Sequence, residues 1–308
     1  MAKILVVGSM NMDIVTQVER HPVPGETIQG NETRFFIGGK GANQAVAASR
    51  SGASVAMAGG LGLDSFGADI RKQLTEDGID LNCVIEKQAM TGIALITIDQ
   101  SGENNIILSA GANGKYGEDE VDTLDLTGFD VILLQNEIAQ AANQRVLDKA
   151  AAANIPVFLN PAPIAGFDHT QLSKVSFLIL NEVEAEELSG TRIDGISQAL
   201  KAGKQLLEAG LPHLIITLGS KGSLYLDQAG TEIEMPAFTV DAVDTTAAGD
   251  TFIGAFAAKY IAGDTLEESL RYATAASALA VSAAGAQSSI PTEDQVHEFL
   301  QRIKPIDQ

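Results

Sequence analysis

This chain has one cysteine and few basic residues. A single cysteine, Cys83, among 308 residues excludes an intrachain disulfide and a zinc site built from several thiolates, and it predicts a reducing, cytoplasmic location. Only 20 basic residues stand against 40 acidic ones, and the net charge of −20 argues against nucleic acid or an anionic membrane as a partner. Any phosphate-bearing ligand must therefore be met by local lysines, backbone N–H groups and a metal ion.

Long hydrophobic runs and several common motifs are also missing. The most apolar late stretch, residues 273–286, is rich in Ala and Ser and is shorter than the ~20 residues needed to cross a bilayer. The N-terminus resembles a buried strand and a turn, not a signal peptide. There is no Walker P-loop and no Gly-x-Ser-x-Gly elbow, and residues 59–64 do not complete the dinucleotide-binding pattern Gly-x-Gly-x-x-Gly. The four histidines share no metal-ligand spacing.

The pattern that is present alternates short β-branched runs with longer helical segments. Such an alternation predicts an α/β fold, with a mostly parallel sheet covered on both faces and ligands bound at the carboxyl ends of its strands. The predicted strands are residues 4–7, 54–58, 131–134, 157–159, 177–180, 214–217 and 223–226, and the predicted helices are 42–51, 68–77, 140–153, 196–208 and 266–283.

Two stretches, residues 14–36 and 91–109, break this alternation. Each contains alternating segments around a turn, and together they predict a small β-sheet that projects over the strand ends as a lid or a dimerisation surface. No linker divides residues 1–308, so we expect a single α/β domain.

The most informative segment is DTTAAGDTF, residues 244–252. It follows a strand-like run at residues 238–242 and precedes a helical stretch at 253–260, which places Asp250 in the first turn of a helix. The small residues at 247–249 would let a ligand approach the unpaired N–H groups of that turn. A carboxylate beside such an anion cradle suits phosphoryl transfer, in which a base orients the attacking hydroxyl. The alternative is an acidic residue that only complements the helix dipole.

Two further segments lie near the predicted first strand and first helix. Asn11 and Asp13 are spaced by two residues, so their side chains point to the same face and can bind vicinal hydroxyls; alternatively they cap a turn. The glycine-rich GGKGANQ, residues 38–44, precedes a helix and permits close approach by a ligand, or is only a flexible turn.

Two other segments follow later strands. Asn181 and Glu184 match the N-cap and third position of a capping box, and the functional alternative makes Glu184 an outer ligand of Mg²⁺ through water. The sequence TLGSKG, residues 217–222, either lines a nucleotide or forms only a tight turn.

In order and spacing these segments resemble the ribokinase-like carbohydrate kinases, and the resemblance covers essentially the whole chain. The GGKGAN and AAGD sequences at residues 38–43 and 247–250 are specific to that family. The resemblance implies a Rossmann-like sandwich with a β-sheet lid, often dimerised through the lid. It also implies ATP-dependent phosphorylation of D-ribose at O5, with Mg²⁺ and a monovalent cation, K⁺, as cofactors.

The resemblance further implies a role for each matching residue. Asp250 is the expected catalytic base, with Ala247, Ala248 and Gly249 as the anion hole. The expected sugar ligands are Asn11, Asp13, Gly39, Lys40, Asn43 and Glu137. The expected ATP ligands are Asn181, Thr217, Gly219, Ser220 and Gly222, with Glu184 organising Mg²⁺ and Thr274 standing where some family members place an imidazole against adenine. The expected K⁺ ligands are Asp244, Thr246, Ala280, Ala283, Gly285 and Ser289, in a loop where Ser288 replaces a Pro.

Other functions compete with this expectation. The same fold also carries kinases of other sugars and of nucleosides. A non-catalytic sugar-binding protein is disfavoured because Asp250, the anion-hole residues and Glu184 are present together. A dehydrogenase is disfavoured because its nucleotide fingerprint is missing.

Overall fold

The computed structural model describes residues 2–303, which contain strands β1–β13 and helices α1–α9. The strands are β1 Lys3–Val7, β2 Asn11–Gln17, β3 Glu32–Gly38, β4 Ser54–Gly62, β5 Asp80–Lys87, β6 Gly92–Ile98, β7 Asn104–Ser109, β8 Val131–Gln135, β9 Val157–Asn160, β10 Phe177–Asn181, β11 His213–Thr217, β12 Ser223–Asp227 and β13 Glu232–Met235. The helices are α1 Lys40–Arg50, α2 Ser65–Glu76, α3 Glu118–Thr123, α4 Gln140–Ala153, α5 Glu182–Ser189, α6 Ile196–Leu207, α7 Ala248–Ala262, α8 Leu266–Val281 and α9 Glu293–Arg302.

Nine strands form the central sheet, in the order β13-β12-β11-β10-β9-β8-β1-β4-β5. The strands from β11 to β5 are parallel to one another, and β12 and β13 pair antiparallel at one edge. This confirms the predicted mostly parallel sheet. The sequence analysis missed β5 and β13, the two edge strands. Both alternate exposed and less exposed residues and lack the continuous apolar run of a strand buried on both faces.

The central sheet separates two hydrophobic cores. Along β1, Ile4 and Val6 enter the core shared with α1 and α7, whereas Leu5 and Val7 enter the core shared with α4 and α6. Successive side chains of a strand point to opposite faces, so a strand covered by helices on both sides must be apolar throughout. The layered arrangement thus brings α1 and α7, the helices that carry the glycine-rich segment and Asp250, onto the same face.

One predicted strand is wrong. The structure has no strand at residues 238–242. Phe238 packs edge-on against Phe299 of α9, with 5.4 Å between ring centroids, and the segment runs along the wall of a large cavity. Phe238, Val240 and Ala242 all line this cavity, so the apolar alternation there reflects a cavity wall and not the faces of a pleated sheet.

A second sheet of four strands has the order β3-β2-β6-β7. Strands β2 and β6 are parallel, and the other two pairs are antiparallel. The sheet is longer than predicted, since β2 already begins at Asn11 and β3 continues to Gly38. Asn11 and Asp13 therefore belong to the small sheet itself, and both are buried, as residues that share one face of a strand. Among residues 2–303, no helix combines the length and the hydropathy required to span a bilayer.

Candidate active site

Asp250 lies in the first turn of α7, as predicted. The helix begins at Ala248, and the preceding Ala247 adopts a left-handed conformation (φ 60°, ψ 6°) that is uncommon for a residue with a Cβ. The backbone N–H groups of Gly249 and Asp250 have no acceptor among the described residues. An added Cβ at Gly249 would meet no atom within 4 Å. The turn therefore presents free N–H donors to open space, which is the geometry of an anion site.

The Asp250 carboxylate is held by two amides of α1. Asn43 Nδ2 donates to Oδ2 and Gln44 Nε2 donates to Oδ1, both over 3.0 Å. The helices can approach this closely because Gly254, one turn after Asp250, has no side chain: a Cβ there would lie 2.5 Å from the carbonyl oxygen of Gln44. Asp250 is only 7% exposed, so its two oxygens are fixed before any ligand binds.

The glycine-rich segment is ordered by the protein's own backbone. Gly39 has φ 91°, and a Cβ there would approach the backbone nitrogen of Asn11 to 2.8 Å. A Cβ at Gly41 would lie 2.6 Å from the nitrogen of Ser9. Helix α1 begins at Lys40, directly within the segment. The flexible-turn alternative is therefore wrong, because these glycines let the start of α1 pack onto the end of β1 and the start of β2.

Lys40, the one lysine of this segment, lies near the carboxyl groups of Asp250, Glu137 and Glu184. Burial raises the pKa of Asp13 to about 7, and the nearby Glu137 and Asp250 add to the effect. Burial likewise raises the pKa of Glu137, although Lys40 and a 2.5 Å hydrogen bond from Ser9 Oγ oppose it. Burial also works against the charge on Lys40, but Asp250, Glu137 and Glu184 outweigh it and raise its pKa. Lys40 is thus the local cation that the strongly acidic composition requires.

The capping box at the start of α5 is present and also faces the site. Asn181 Oδ1 accepts from the backbone N–H of Glu184 over 2.8 Å, and Glu184 Oε2 accepts from that of Asn181 over 3.0 Å. Asn160 Nδ2 donates to the same Glu184 oxygen over 3.2 Å. Burial raises the pKa of Glu184 despite these hydrogen bonds. One cavity of about 200 Å³ is lined by Glu184, Asn160, Lys40 and Asp250. The capping box of Asn181 and Glu184 is therefore compatible with the predicted role of Glu184 as an outer ligand of Mg²⁺.

A larger cavity of about 620 Å³ adjoins this one. The residues that line both cavities are Asn181, Thr217, Thr245, Ala248 and Gly249. Residues 217–222 form a tight turn between the antiparallel β11 and β12. Thr217, Gly219, Ser220 and Gly222 of this turn also line the large cavity, so the tight turn is confirmed and the nucleotide contact stays a prediction. The remaining wall is largely apolar and includes Phe238, Phe252 and Thr274, whose hydroxyl donates to the carbonyl of Leu270 over 2.8 Å.

The loops expected to hold K⁺ do come together. Asp244 Oδ1 accepts from the N–H of Thr246 over 2.9 Å and Oδ2 from the N–H of Gly285 over 3.0 Å. Burial opposes the charge of Asp244, but these hydrogen bonds outweigh it and lower its pKa. The carbonyls of Ala283, Gly285 and Ser289 accept no hydrogen bond from the described residues, whereas that of Ala280 accepts from Ala283.

Several buried polar residues at the site escaped the sequence analysis. Asn113 Nδ2 donates to Asn11 Oδ1 over 2.7 Å, and Gln135 Nε2 donates to Gln44 Oε1 over 2.7 Å. Gln44 lies within the glycine-rich segment but was given no role. Asn113 and Gln135 carry no local motif, and only their long-range contacts reveal them.

The arrangement combines a fixed carboxylate, a turn with two free N–H donors, a half-buried ammonium group and two adjoining cavities. In residues 2–303, no group of three or more His, Cys, Asp or Glu side chains is arranged to hold a metal ion. A single carboxylate such as Glu184 still fits Mg²⁺, which keeps several waters and is usually held by one or two carboxylates together with substrate phosphates. The site is therefore suited to moving a phosphoryl group onto a hydroxyl placed beside Asp250.

Similar proteins agree with this chemistry. Residues 1–293 match the pfkB family of carbohydrate kinases. The chain is 38% identical to the ribokinase of Haemophilus influenzae over 301 residues, which cover 96% of this chain and 97% of that protein. It is 35% identical to the deoxyribokinase of Salmonella typhimurium over 302 residues, 96% and 98% of the two chains.

Solved structures agree as well. A ribokinase from Arabidopsis thaliana complexed with ribose and ATP has a TM-score of 0.88 at 33% identity, with 98% of this chain and 99% of that one covered. A nucleoside kinase from Methanocaldococcus jannaschii has a TM-score of 0.82 at 25% identity, again with 98% and 99% covered. The central sheet, the smaller sheet and the site around Asp250 thus have one explanation: the chain belongs to the pfkB family of carbohydrate kinases, enzymes that phosphorylate an alcohol group.

Proposed function

We propose that this protein is an ATP-dependent kinase that phosphorylates D-ribose at O5. The observation that carries the proposal is the position of Asp250. Its carboxylate accepts hydrogen bonds from two amides of α1 and lines the 200 Å³ cavity, while the preceding Gly249 lines both that cavity and the adjoining 620 Å³ cavity. Asp250 would align the O5 hydroxyl and accept its proton. The turn formed by Ala247, Ala248 and Gly249 would stabilise the charge on the transferred phosphoryl group through the free N–H groups of Gly249 and Asp250, whereas the Ala248 N–H donates to the Thr245 carbonyl over 3.3 Å.

The sugar would lie between the small sheet and α1. Its proposed ligands are buried or half-buried residues of β2, of the start of α1 and of the loop after β8: Asn11, Asp13, Gly39, Lys40, Asn43 and Glu137. Asn43 Oδ1 is buried without a partner among the described residues, and a sugar hydroxyl would supply the missing donor. Asn11 and Glu137 line a further cavity of about 260 Å³ beneath β7. A site built to pair several hydroxyls discriminates strongly against analogues that lack one.

The nucleotide would occupy the 620 Å³ cavity. Asn181, Thr217, Gly219, Ser220 and Gly222 line one wall of it, and Thr274 lines the other, so all six proposed ATP ligands face the same space. The apolar part of the lining suits a purine base. Glu184 would hold Mg²⁺ through water, and the ion would neutralise charge on the phosphates as they approach the anion hole. The family resemblance and the ATP complex of the Arabidopsis ribokinase support this assignment.

K⁺ would bind between residues 244–246 and 280–289. The proposal rests on the carbonyls of Ala283, Gly285 and Ser289, which have no hydrogen-bond donor among the described residues, and on the low pKa of Asp244, whose negative charge favours a cation nearby. Ala280 and Thr246 complete the proposed set. Asp244 fixes the loop directly before the anion-hole turn, so an ion there would order the N–H groups that face the phosphates.

The small sheet would act as a lid and as a dimer interface. Strand β7 is exposed along its whole length, and Ile106, Ile107 and Leu108 are 52%, 67% and 50% exposed, with Leu95 of β6 beside them. An apolar edge strand of this kind is usually covered by a partner. We therefore propose a homodimer paired through this sheet, and a cytoplasmic location where ATP is supplied.

A second substrate class has a specific observation in its favour. The deoxyribokinase of Salmonella typhimurium is nearly as similar to this chain as the ribokinase of Haemophilus influenzae, and a nucleoside kinase shares the fold. Phosphorylation of 2-deoxyribose or of a nucleoside would keep Asp250, the anion hole and the ATP cavity in their roles. Only the ligands of the sugar's hydroxyls would change.

An ADP-release assay with ATP and Mg²⁺ separates these possibilities. The acceptors are ribose, 2-deoxyribose, fructose, adenosine and none, each with K⁺ or Na⁺. We expect ribose-dependent turnover that K⁺ increases. Faster turnover with 2-deoxyribose or adenosine would overturn the ribose assignment, and equal rates in K⁺ and Na⁺ would overturn the K⁺ site. ADP release that needs no acceptor, or none with any acceptor, would overturn the kinase proposal itself.

A further inference from the structure

Two glutamines form a buried chain that ends on Asp250. Gln135 Nε2 donates to Gln44 Oε1 over 2.7 Å, and Gln44 Nε2 donates to Asp250 Oδ1 over 3.0 Å. Both glutamines are 0% exposed. A buried amide is expensive unless it is hydrogen-bonded, so two consecutive buried amides next to a reactive carboxylate need an explanation.

The fold makes room for this chain at a second glycine. Gly8, at the end of β1, lies against the Gln135 amide, and a Cβ there would come within 2.0 Å of Gln135 Oε1. The backbone carbonyl of Gln135 is held separately by Asn143 Nδ2 over 2.8 Å. Gln135 is thus fixed at both its backbone and its side chain, and it can fix the Gln44 amide with its oxygen toward β8 and its nitrogen toward α7.

The two oxygens of Asp250 are consequently not equivalent. Oδ1 faces Gln44, which is entirely buried and lines none of the three cavities described above. Oδ2 faces Asn43, which is a proposed sugar ligand with a buried oxygen still lacking a partner. Gln44 therefore occupies the oxygen on the interior side, whereas Oδ2 accepts from Asn43 and has a second lone pair that can receive a substrate hydroxyl.

We infer that Gln44 and Gln135 are positioning residues that set the rotation of the Asp250 carboxylate and so direct Oδ2 at the sugar hydroxyl. The inference rests on the proposed function, since it specifies how the base of that reaction is aligned. Neither glutamine touches substrate. Without the Gln44 donor only the Asn43 hydrogen bond to Oδ2 still restrains the carboxylate, which gains freedom to turn about its Cβ–Cγ bond. Fewer encounters then have the reactive alignment, whereas binding of sugar and of ATP depends on other groups.

The test replaces each glutamine by Met, which keeps the length of the side chain and removes the amide. For Gln44→Met we expect kcat to fall about 10- to 100-fold, with the KM values for ribose and ATP unchanged within about twofold. Gln135→Met acts only through Gln44, and we expect a loss of about 3- to 10-fold. In the Gln44→Met background, Gln135→Met should add nothing, because the link to Asp250 is already broken.

Gln73→Met is the matched control. Gln73 Nε2 also donates to an aspartate, Asp77 Oδ2, over 3.1 Å, but it lies on α2 away from the site, so its kcat should equal that of the wild type. Thermal unfolding of every variant checks that the chain is folded. If Gln44→Met does not fold, Gln135→Met, which does not touch Asp250, decides the question by itself.

Three results would overturn the inference: a wild-type kcat in Gln135→Met, additive losses in the double variant, or losses of kcat and KM that follow the unfolded fraction. The wild-type rate with ribose checks the proposed function separately. If another acceptor gives the turnover, the wild type, the two single glutamine variants, their double variant and the Gln73→Met control are compared with that acceptor. The alignment of Asp250 does not depend on which sugar supplies the hydroxyl.

Discussion

On the sugar side of Asp250 the glycines are enclosed by the protein's own atoms, whereas the glycine of the anion hole faces open space. A Cβ at Gly38 would lie 2.1 Å from Asp13 Oδ2, and one at Gly41 would lie 2.6 Å from the backbone of Ser9. A Cβ at Gly249 would meet nothing within 4 Å. Two glycine-containing motifs of one family thus use the absence of a side chain in different ways.

The difference teaches what each side of the site needs. The sugar side depends on close packing of backbone on backbone, which brings Asn43 and Gln44 to Asp250 and buries Asp13. The anion-hole side depends on vacant space beside a helix N-terminus, into which phosphates can move. Gly38 and Gly41 permit close packing of the fold, whereas Gly249 leaves the space that we propose for a ligand.

Asp250 stands between the two sides, and its replacement has the largest expected effect. We expect Asp250→Asn to lower kcat by about 10²–10⁴ while both KM values change little, since the amide keeps the shape of the side chain but accepts no proton. Steady-state kinetics with ribose and ATP measure both quantities. A turnover close to that of the wild type would remove Asp250 from the mechanism.

Substituting one glycine on each side tests the comparison directly. Gly41→Ala should destabilise the fold by about 1–3 kcal/mol, because its Cβ would overlap the backbone of Ser9. Gly249→Ala should keep or slightly increase the stability, since Ala is the better helix former, yet lower kcat about tenfold or more by filling the space for the phosphates. Urea unfolding and steady-state kinetics on both variants give the result. Equal loss of stability in the two would contradict the distinction.

This distinction was not predictable from the sequence. Both motifs present small residues before a helix, and nothing local says whether protein or ligand fills the space. Asp250 in a helix first turn, the capping box of Asn181 and Glu184, and the parallel sheet were predictable, because each depends on neighbouring residues or on simple periodicity. The strand-like run at residues 238–242 shows the limit of such reasoning, since apolar alternation also arises along a cavity wall.

The contacts that orient Asp250 were hidden for a related reason. Gln44 and Asp250 are 206 positions apart in the chain, and Gln44 and Gln135 are 91 apart. A glutamine in a sequence carries no sign of its partner. Only the packing of α1 on α7, which Gly254 permits, and the placement of β8 next to β1 bring these side chains together.

The enclosure of the sugar side should also appear in the pH dependence of stability. The pKa of Asp13 is raised from its usual 3.8 to about 7 in the folded protein. Between these values the folded state retains a proton on Asp13 that the unfolded chain has lost, so the contribution of this group to wild-type stability falls as the pH rises from about 4 to 7 and then levels off. Asp13→Asn does not titrate, and its stability relative to the wild type should rise over this range by on the order of 2 kcal/mol.

Urea unfolding without sugar, at pH 4, 5, 6, 7 and 8, measures this difference. A relative stability that is constant with pH would mean that Asp13 is solvated and ionised in the folded protein. It would also contradict the enclosure of the sugar side. The matched control is Asp130→Asn, which replaces an aspartate at an exposed hydrogen bond to the backbone N–H of Lys3. A change at the buried Asn160, to Asp, is unsuitable because it would add a carboxyl next to Glu184.

Ala247 lies in the anion-hole turn, and its replacement should have the smallest effect on kcat and on stability. It adopts a left-handed conformation that suits glycine, yet it carries a Cβ. Ala247→Gly should remove that strain, which amounts to about 1 kcal/mol. Glycine also gives the unfolded chain more conformational freedom, which destabilises the folded state. The two effects oppose each other, so we expect the free energy of unfolding to change by no more than about 1 kcal/mol. Because the N–H groups of α7 and the amides on Asp250 keep their places, kcat should stay within about threefold of wild type. A larger fall in kcat at unchanged stability would mean that the methyl group itself restricts the anion-hole turn, and that the strain at Ala247 serves catalysis directly.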